Sequence, residues 1–297
     1  MSDPIVVGVE GSPHSHAAAQ WAAEEAELRG APLHLLYGYL HPLSYALPYG
    51  PYPMPEPAAG DAAAQVLAEA AGAVRARWPR VPVTESVAPE PGASLLVEAS
   101  RAAQLVVVGS HGSGGFAGLL LGSVSRQVAA HAHCPVAVVR GTDAPVRRTG
   151  PVTVGVDGSA RATAAAVLAA EEARRRKRPV ELLHAWWANP YGHLTASFDE
   201  ADRAAREAAD AVVAEAAAAV AAAAPGVEVV PRLVHSLNPA DTLAAASKDA
   251  ALVVVGSRGR SGFAELLLGS VSETLLHHAH SPVLVVREPT GHREAEE

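Results

Sequence analysis

Two short segments of this chain carry glycine and serine at a spacing suited to holding an anion. Residues 105–112 read LVVVGSHG, and nine residues separate Gly112 from Gly122, which opens GSVS. Residues 252–259 read LVVVGSRG, and nine residues separate Gly259 from Gly269, which again opens GSVS. Gly109 and Gly112 permit positive φ and close backbone approach, so amide hydrogens can line a concave site. Ser123 is placed to cap the helix that follows, whose first amides, at Val124 and Ser125, carry the positive end of the helix dipole. Phosphate is the natural occupant of such a corner. A carboxylate also stands near the end of each first strand, Glu10 in VEGS and Asp157 in VDGS. There it can accept from a sugar hydroxyl or a base amine, or simply serve a turn. A lone glycine pair would signify only a tight strand–helix turn, but the whole arrangement occurs twice at one spacing.

Both segments belong to a longer duplication. Shifting the numbering by 147 lays Gly8 on Gly155, Leu36 on Leu183, Gly109 on Gly256 and Gly122 on Gly269. Between 105–140 and 252–287, 25 of 36 positions carry the same residue, so the copied part looks like a site as well as a core. Copies of this length are two domains rather than a solenoid, because each can bury its own core. The expected boundaries are a first domain over 1–140, a linker over 141–150, a second domain over 151–287 and a disordered polar tail over 288–297.

Within each copy, short β-branched runs alternate with longer alanine-rich stretches, the pattern of a parallel sheet with crossover helices. Strands are predicted at 5–9, 33–37, 83–87, 105–108 and 136–139, and at 152–156, 180–184, 229–234, 252–255 and 283–286. Runs such as LVVV lack polar alternation, as strands covered on both faces do. Helices are predicted at 14–26, 58–77, 92–102 and 123–132, with equivalents 147 residues later. Ala18, Trp21, Ala22 and Ala26 recur at helical spacing and should face the sheet. The fold class is therefore α/β, two tandem open five-stranded parallel sheets with helices on both faces. Ligands of such sheets bind beyond the carboxyl ends of the strands at the switch point, where both glycine clusters fall. Segment 41–57, dense in proline and tyrosine, is expected to be an irregular excursion.

Composition narrows the partners. The chain is 49% hydrophobic and 18% charged, a globular balance, and its net charge of −8 argues against nucleic acid. No apolar run approaches the roughly 20 residues of a membrane span, so no membrane partner is expected. The start MSDPIVVGVE shows no leader features, and the single cysteine, Cys134, argues for a reducing compartment. A cytoplasmic location is the expectation.

The VGVDGS start, the G-x2-G-x9-G-S element and the five-stranded repeat together resemble the universal stress protein family, in its tandem, nucleotide-binding form. The resemblance spans about residues 3–140 and 150–287. It implies a Rossmann-like fold of the adenine nucleotide alpha hydrolase kind, with the domains packed as a pseudo-dimer through their last strands, 136–139 and 283–286. It also implies an ATP site in each domain, with Mg2+ arriving on the nucleotide. Asp157 would meet the adenosine moiety and the backbone at Ala185 the adenine. Gly256, Gly259, Gly269, Ser270, Val271 and Ser272 would hold ribose and phosphates. The matching positions in copy one are Glu10, Gly38, Gly109, Gly112, Gly122, Ser123, Val124 and Ser125. The candidate set further includes Gly8, Ser110, His111 and Gly115 in copy one, and Gly155, Ser257, Arg258 and Gly262 in copy two. Glu10 departs from the family's aspartate, and copy one has His111 and Ser113 where copy two has Arg258 and Arg260. Copy two is expected to bind ATP more tightly.

Catalysis of phosphoryl transfer needs charge stabilisation and a positioned nucleophile. The only lysines, Lys177 and Lys248, lie outside the motifs. The expected function is a nucleotide-dependent stress-response or signalling module without efficient turnover. A slow ATPase or nucleotidyl-transfer enzyme and a nucleotide-free scaffold are the competing readings. An unidentified protein partner and a homodimer of the whole chain are further expectations. His131, His133 and Cys134 do not make a metal site, because copy two replaces the thiol with Ser281 and residues so spaced at a helix end converge poorly. The run RRRKR at 174–178 reads as a solvated helix end.

Overall fold

The computed structural model describes residues 2–39, 56–112, 121–141, 149–188, 198–259 and 268–287. Gly115, Gly262, Ser113 and Arg260, most of segment 41–57, most of the linker and the tail lie outside those ranges, with the expectations attached to them. Two compact units divide the described chain, one up to residue 141 and the other from 149.

Each unit repeats one strand–helix alternation. The first runs β1 (Ile5–Gly8), α1 (Pro13–Arg29), β2 (Leu33–Gly38), α2 (Glu56–Arg77), β3 (Val83–Ala88), α3 (Gly92–Ala99), β4 (Leu105–Gly109), α4 (Ser123–His131) and β5 (Val136–Val139). The second runs β6 (Val152–Gly155), α5 (Ala160–Arg176), β7 (Val180–Trp186), α6 (Phe198–Ala223), β8 (Val229–His235), α7 (Pro239–Ala246), β9 (Leu252–Gly256), α8 (Ser270–His278) and β10 (Val283–Val286). All pairings within a unit are parallel, in the order β3-β2-β1-β4-β5 and its equivalent β8-β7-β6-β9-β10.

Burial explains why these strands need helices on both sides. Leu105, Val106 and Val107 are 0% exposed, as are Leu252, Val253 and Val254, so neither face of β4 or β9 meets water. In the first unit α1 and α2 pack side by side on one face and α3 and α4 on the other. Ala18, Trp21, Ala22 and Ala26 of α1 are all buried, as their spacing predicts. Small alanines let the helix axis lie close to β1 and β4.

Two features depart from the sequence reading. The arginine run ending α5 is not simply solvated: Arg175 and Arg176 reach back to Glu172, which is fully buried. A carboxylate taken out of water requires such partners. Copy one repeats the device with Glu25 and Arg29, 3.5 Å apart. The second feature is the end of the same helix. Gly30 closes α1 in the left-handed region at φ 62°, but Lys177 closes α5 at φ 53°, the one non-glycine residue there among those described. A side chain in that conformation costs about 1 kcal/mol relative to glycine. Lys177→Gly should therefore stabilise the second unit by about 1 kcal/mol, read as a raised urea midpoint with an unchanged slope.

Candidate functional site

In each unit the first strand is hydrogen-bonded to the second on one side and the fourth on the other, so the crossover helices diverge at its carboxyl end. A crevice opens there. It encloses about 340 Å³ in the first unit and about 700 Å³ in the second, both within the range of small-molecule sites.

Glycines set its floor. A methyl group at Gly8 would come within 2.8 Å of Leu96 Cδ1, and one at Gly155 within 2.7 Å of Leu243 Cδ1. Glycine thus lets α3 and α7 close beneath the strand end. At Gly109 a methyl would meet the His14 backbone at 2.8 Å, so β4 ends against the first turn of α1. Close approach is therefore the role of Gly109. Positive φ is not: at the strand ends of this crevice it falls on Gly11 at 88° and Gly158 at 79°, just after the carboxylates, and not on Gly109, Gly112, Gly256 or Gly259. The left-handed residue is needed where the chain doubles back from strand to helix.

The helix corner also differs from the sequence expectation in one respect. Gly122 and Gly269 are the cap residues of α4 and α8, while Ser123 and Ser270 occupy the first helical position and cap nothing. Gly122 N donates to Ser110 O and Gly269 N to Ser257 O, each at 2.7 Å. The first bonds inside the helices are Arg126 N to Gly122 O and Glu273 N to Gly269 O. Among the described residues, the amides of Ser123, Val124 and Ser125, and of Ser270, Val271 and Ser272, have no acceptor. Ser125 turns its hydroxyl away, donating to Gly109 O at 2.5 Å, and Ser272 donates to Ser257 O at 3.1 Å. Those hydroxyls fasten helix to strand, and only their amides face the cavity. Ser110 and Ser257 are buried behind the wall, their amides bonded to Val139 O and Val286 O. Gly8, Gly38, Gly112, His111, Gly155, Ala185, Arg258 and Gly259 all line the cavities with the two helix starts.

The carboxylates behave differently. Asp157 Oδ1 accepts from Ser159 N at 3.0 Å and Ser159 Oγ at 2.6 Å, and its Oδ2 lies where a methyl on Gly259 would come within 2.5 Å. The side chain is folded back onto its own turn. Glu10 extends one methylene further, and its Oε1 is buried without a hydrogen-bond partner among the described residues. Burial raises its pKa above the usual 4.5, opposed chiefly by a hydrogen bond from Ser12.

The structure adds wall residues that the sequence did not mark. Asn238 caps α7 by accepting from Asp241 N at 3.2 Å and lines the second cavity with Pro239 and Leu243. An Asn-Pro pair after a strand is a helix-start signal that could have flagged it. His184, another wall residue, donates to Val156 O at 2.7 Å.

The model of the Universal stress protein family matches residues 1–140 and again 149–287. A universal stress protein of Mycobacterium tuberculosis strain H37Rv is 38% identical over 300 residues, covering 96% of each chain. One from Mycolicibacterium smegmatis is 37% identical over 296 residues, covering 95% of this chain and 96% of its own. Among solved structures, a universal stress protein from Archaeoglobus fulgidus superposes with a TM-score of 0.66 over 97% of this chain and 99% of that one. At 18% identity that likeness establishes the fold alone.

Because burial raises the Glu10 pKa, the folded state keeps a proton that the unfolded chain has released between the two values. Stability falls as pH rises through that interval, and the penalty is complete above it. Glu10→Gln should raise the thermal midpoint at about pH 7 by an amount equivalent to about 1 kcal/mol, and should give no gain at about pH 4. A gain that is the same at both pH values would contradict a buried charge as its source.

Proposed function

The chain belongs to the universal stress protein family in both of its halves, and on that premise we propose that it is an adenine-nucleotide-binding stress-response module, with ATP seated at the carboxyl end of the second sheet. The observation that carries this reading is the helix corner. Among the described residues, three successive amides of α8 lack an acceptor beside a strand end that glycine has stripped of side chains. Such a corner is an anion site by its dipole and its donors together. Asp157 stands across the same cavity, where its carboxylate can accept from sugar hydroxyls, and the backbone at Ala185 borders the part of the wall suited to a base. Magnesium would travel on the phosphates of the nucleotide.

Binding without efficient turnover fits the wall. The titratable residues lining the second cavity are Asp157, His184 and Arg258, and no lysine or second carboxylate lies among its described lining. Bound nucleotide would then act by favouring one conformer that a partner reads. Mass spectrometry of small molecules released from freshly purified, denatured protein should find adenine nucleotide, and Asp157→Ala should weaken ATP binding by about tenfold. Protein that releases no adenine nucleotide and gives no heat with MgATP would refute the reading.

A further inference from the structure

The two cavities are not equivalent, and three differences point the same way. The first is charge. A methyl on Gly256 would lie 3.3 Å from Arg161 Cβ and 3.1 Å from Arg258 O, and Arg258 is near enough to Arg287 to help lower its pKa. Three arginines therefore gather at the end of β9. The corresponding residues in the first unit, 147 positions earlier, are His14, His111 and Arg140. The two imidazoles meet at a tilt of 49° with centroids 5.0 Å apart, and burial, then His111 and Arg140, favour the neutral form of His14. The second difference is room. A methyl at Gly38 would come within 2.6 Å of Glu90 O and 2.7 Å of Gly92 Cα, so the start of α3 presses on β2. Ala185 carries that methyl in the second unit, where the cavity is about 700 Å³ rather than about 340 Å³. The third is Glu10, whose buried Oε1 has no donor among the described residues, where Asp157 Oδ1 has two.

We propose that the first-unit cavity is the site of a nucleoside monophosphate, with sugar hydroxyls donating to Glu10 Oε1 and a single phosphate at the start of α4 beside His111, while the second cavity takes the polyphosphate. The inference rests on the nucleotide reading above and refines it. A phosphate monoester carries roughly −1.5 to −2 charges, which the α4 amides and the nearby Arg140 suit. Each added phosphate would lie beyond the first, beside the imidazole pair, where no further arginine matches Arg161 or Arg258.

Two variants of the full chain isolate the sites. Ser123→Asp and Ser270→Asp each place a carboxylate on an exposed first helical position, where it complements the dipole while repelling phosphate. Calorimetry with AMP and with MgATP should show S270D binding AMP at least about tenfold more tightly than ATP, and S123D the reverse. Adding Glu10→Ala to S270D should weaken AMP by about tenfold, and adding His14→Arg with His111→Arg should strengthen ATP by a similar factor. An S270D protein that binds ATP as tightly as AMP overturns the proposal and leaves nucleotide binding intact. So does one that binds neither while S123D still binds ATP. Wild-type protein that binds neither ligand removes the underlying reading as well.

Discussion

Everything in each unit depends on the position of one short strand. β1 and β6 are paired on both sides, with their residues fully sequestered as far as the strand end. β1 continues into α1 on one face, whereas β4, reached from β3 through α3, continues into α4 on the other, because right-handed crossovers in opposite directions must pass over different sides of the sheet. Helices packed on both faces cannot also cover the point where they part. The crevice is thus a consequence of strand order and needs no residue to carve it. Glycine at Gly8, Gly109 and their counterparts keeps it shallow-walled and lets α1 and α3 approach within van der Waals contact.

The amide corner follows from the same geometry. β4 and β9 end at a glycine, and the next helix returns so that Gly122 and Gly269 bond to the carbonyls of Ser110 and Ser257. Ser125 and Ser272 add a second tie from helix to strand. These contacts fix the helix axis towards the cavity and leave the first-turn amides pointing into it. Donors held in place in this way would lose little freedom if an anion bound there.

Around that shared frame the two units have diverged in electrostatics. The second has arginines at three positions and a carboxylate engaged by its own turn. In the first, imidazoles replace two of the arginines, and a longer carboxylate has one buried oxygen without a partner among the described residues. A buried carboxylate oxygen without a donor costs stability.

The alternation of apolar runs and alanine-rich stretches was enough to read the strands, the helices and the parallel class, because those depend on local periodicity and on burial of both sheet faces. The repeat at 147 residues was enough to read two units, and the spacing from Gly112 to Gly122 pointed to an anion corner. Direction was another matter. That Ser125 and Ser272 turn their hydroxyls to strand carbonyls, that Ser123 is not the cap, and that positive φ belongs to Gly11 and Gly158 were all decided by how the helix returns to the sheet. The burial of the Glu10 oxygen, without a partner among the described residues, and the narrowing at Gly38 likewise depend on residues brought together from distant parts of the chain. Residue types and spacing determine which groups are available near a strand end. Only the packing of helices against that end decides which of their atoms face the cavity, because hydrogen bonds to strand carbonyls compete with a ligand for the same donors.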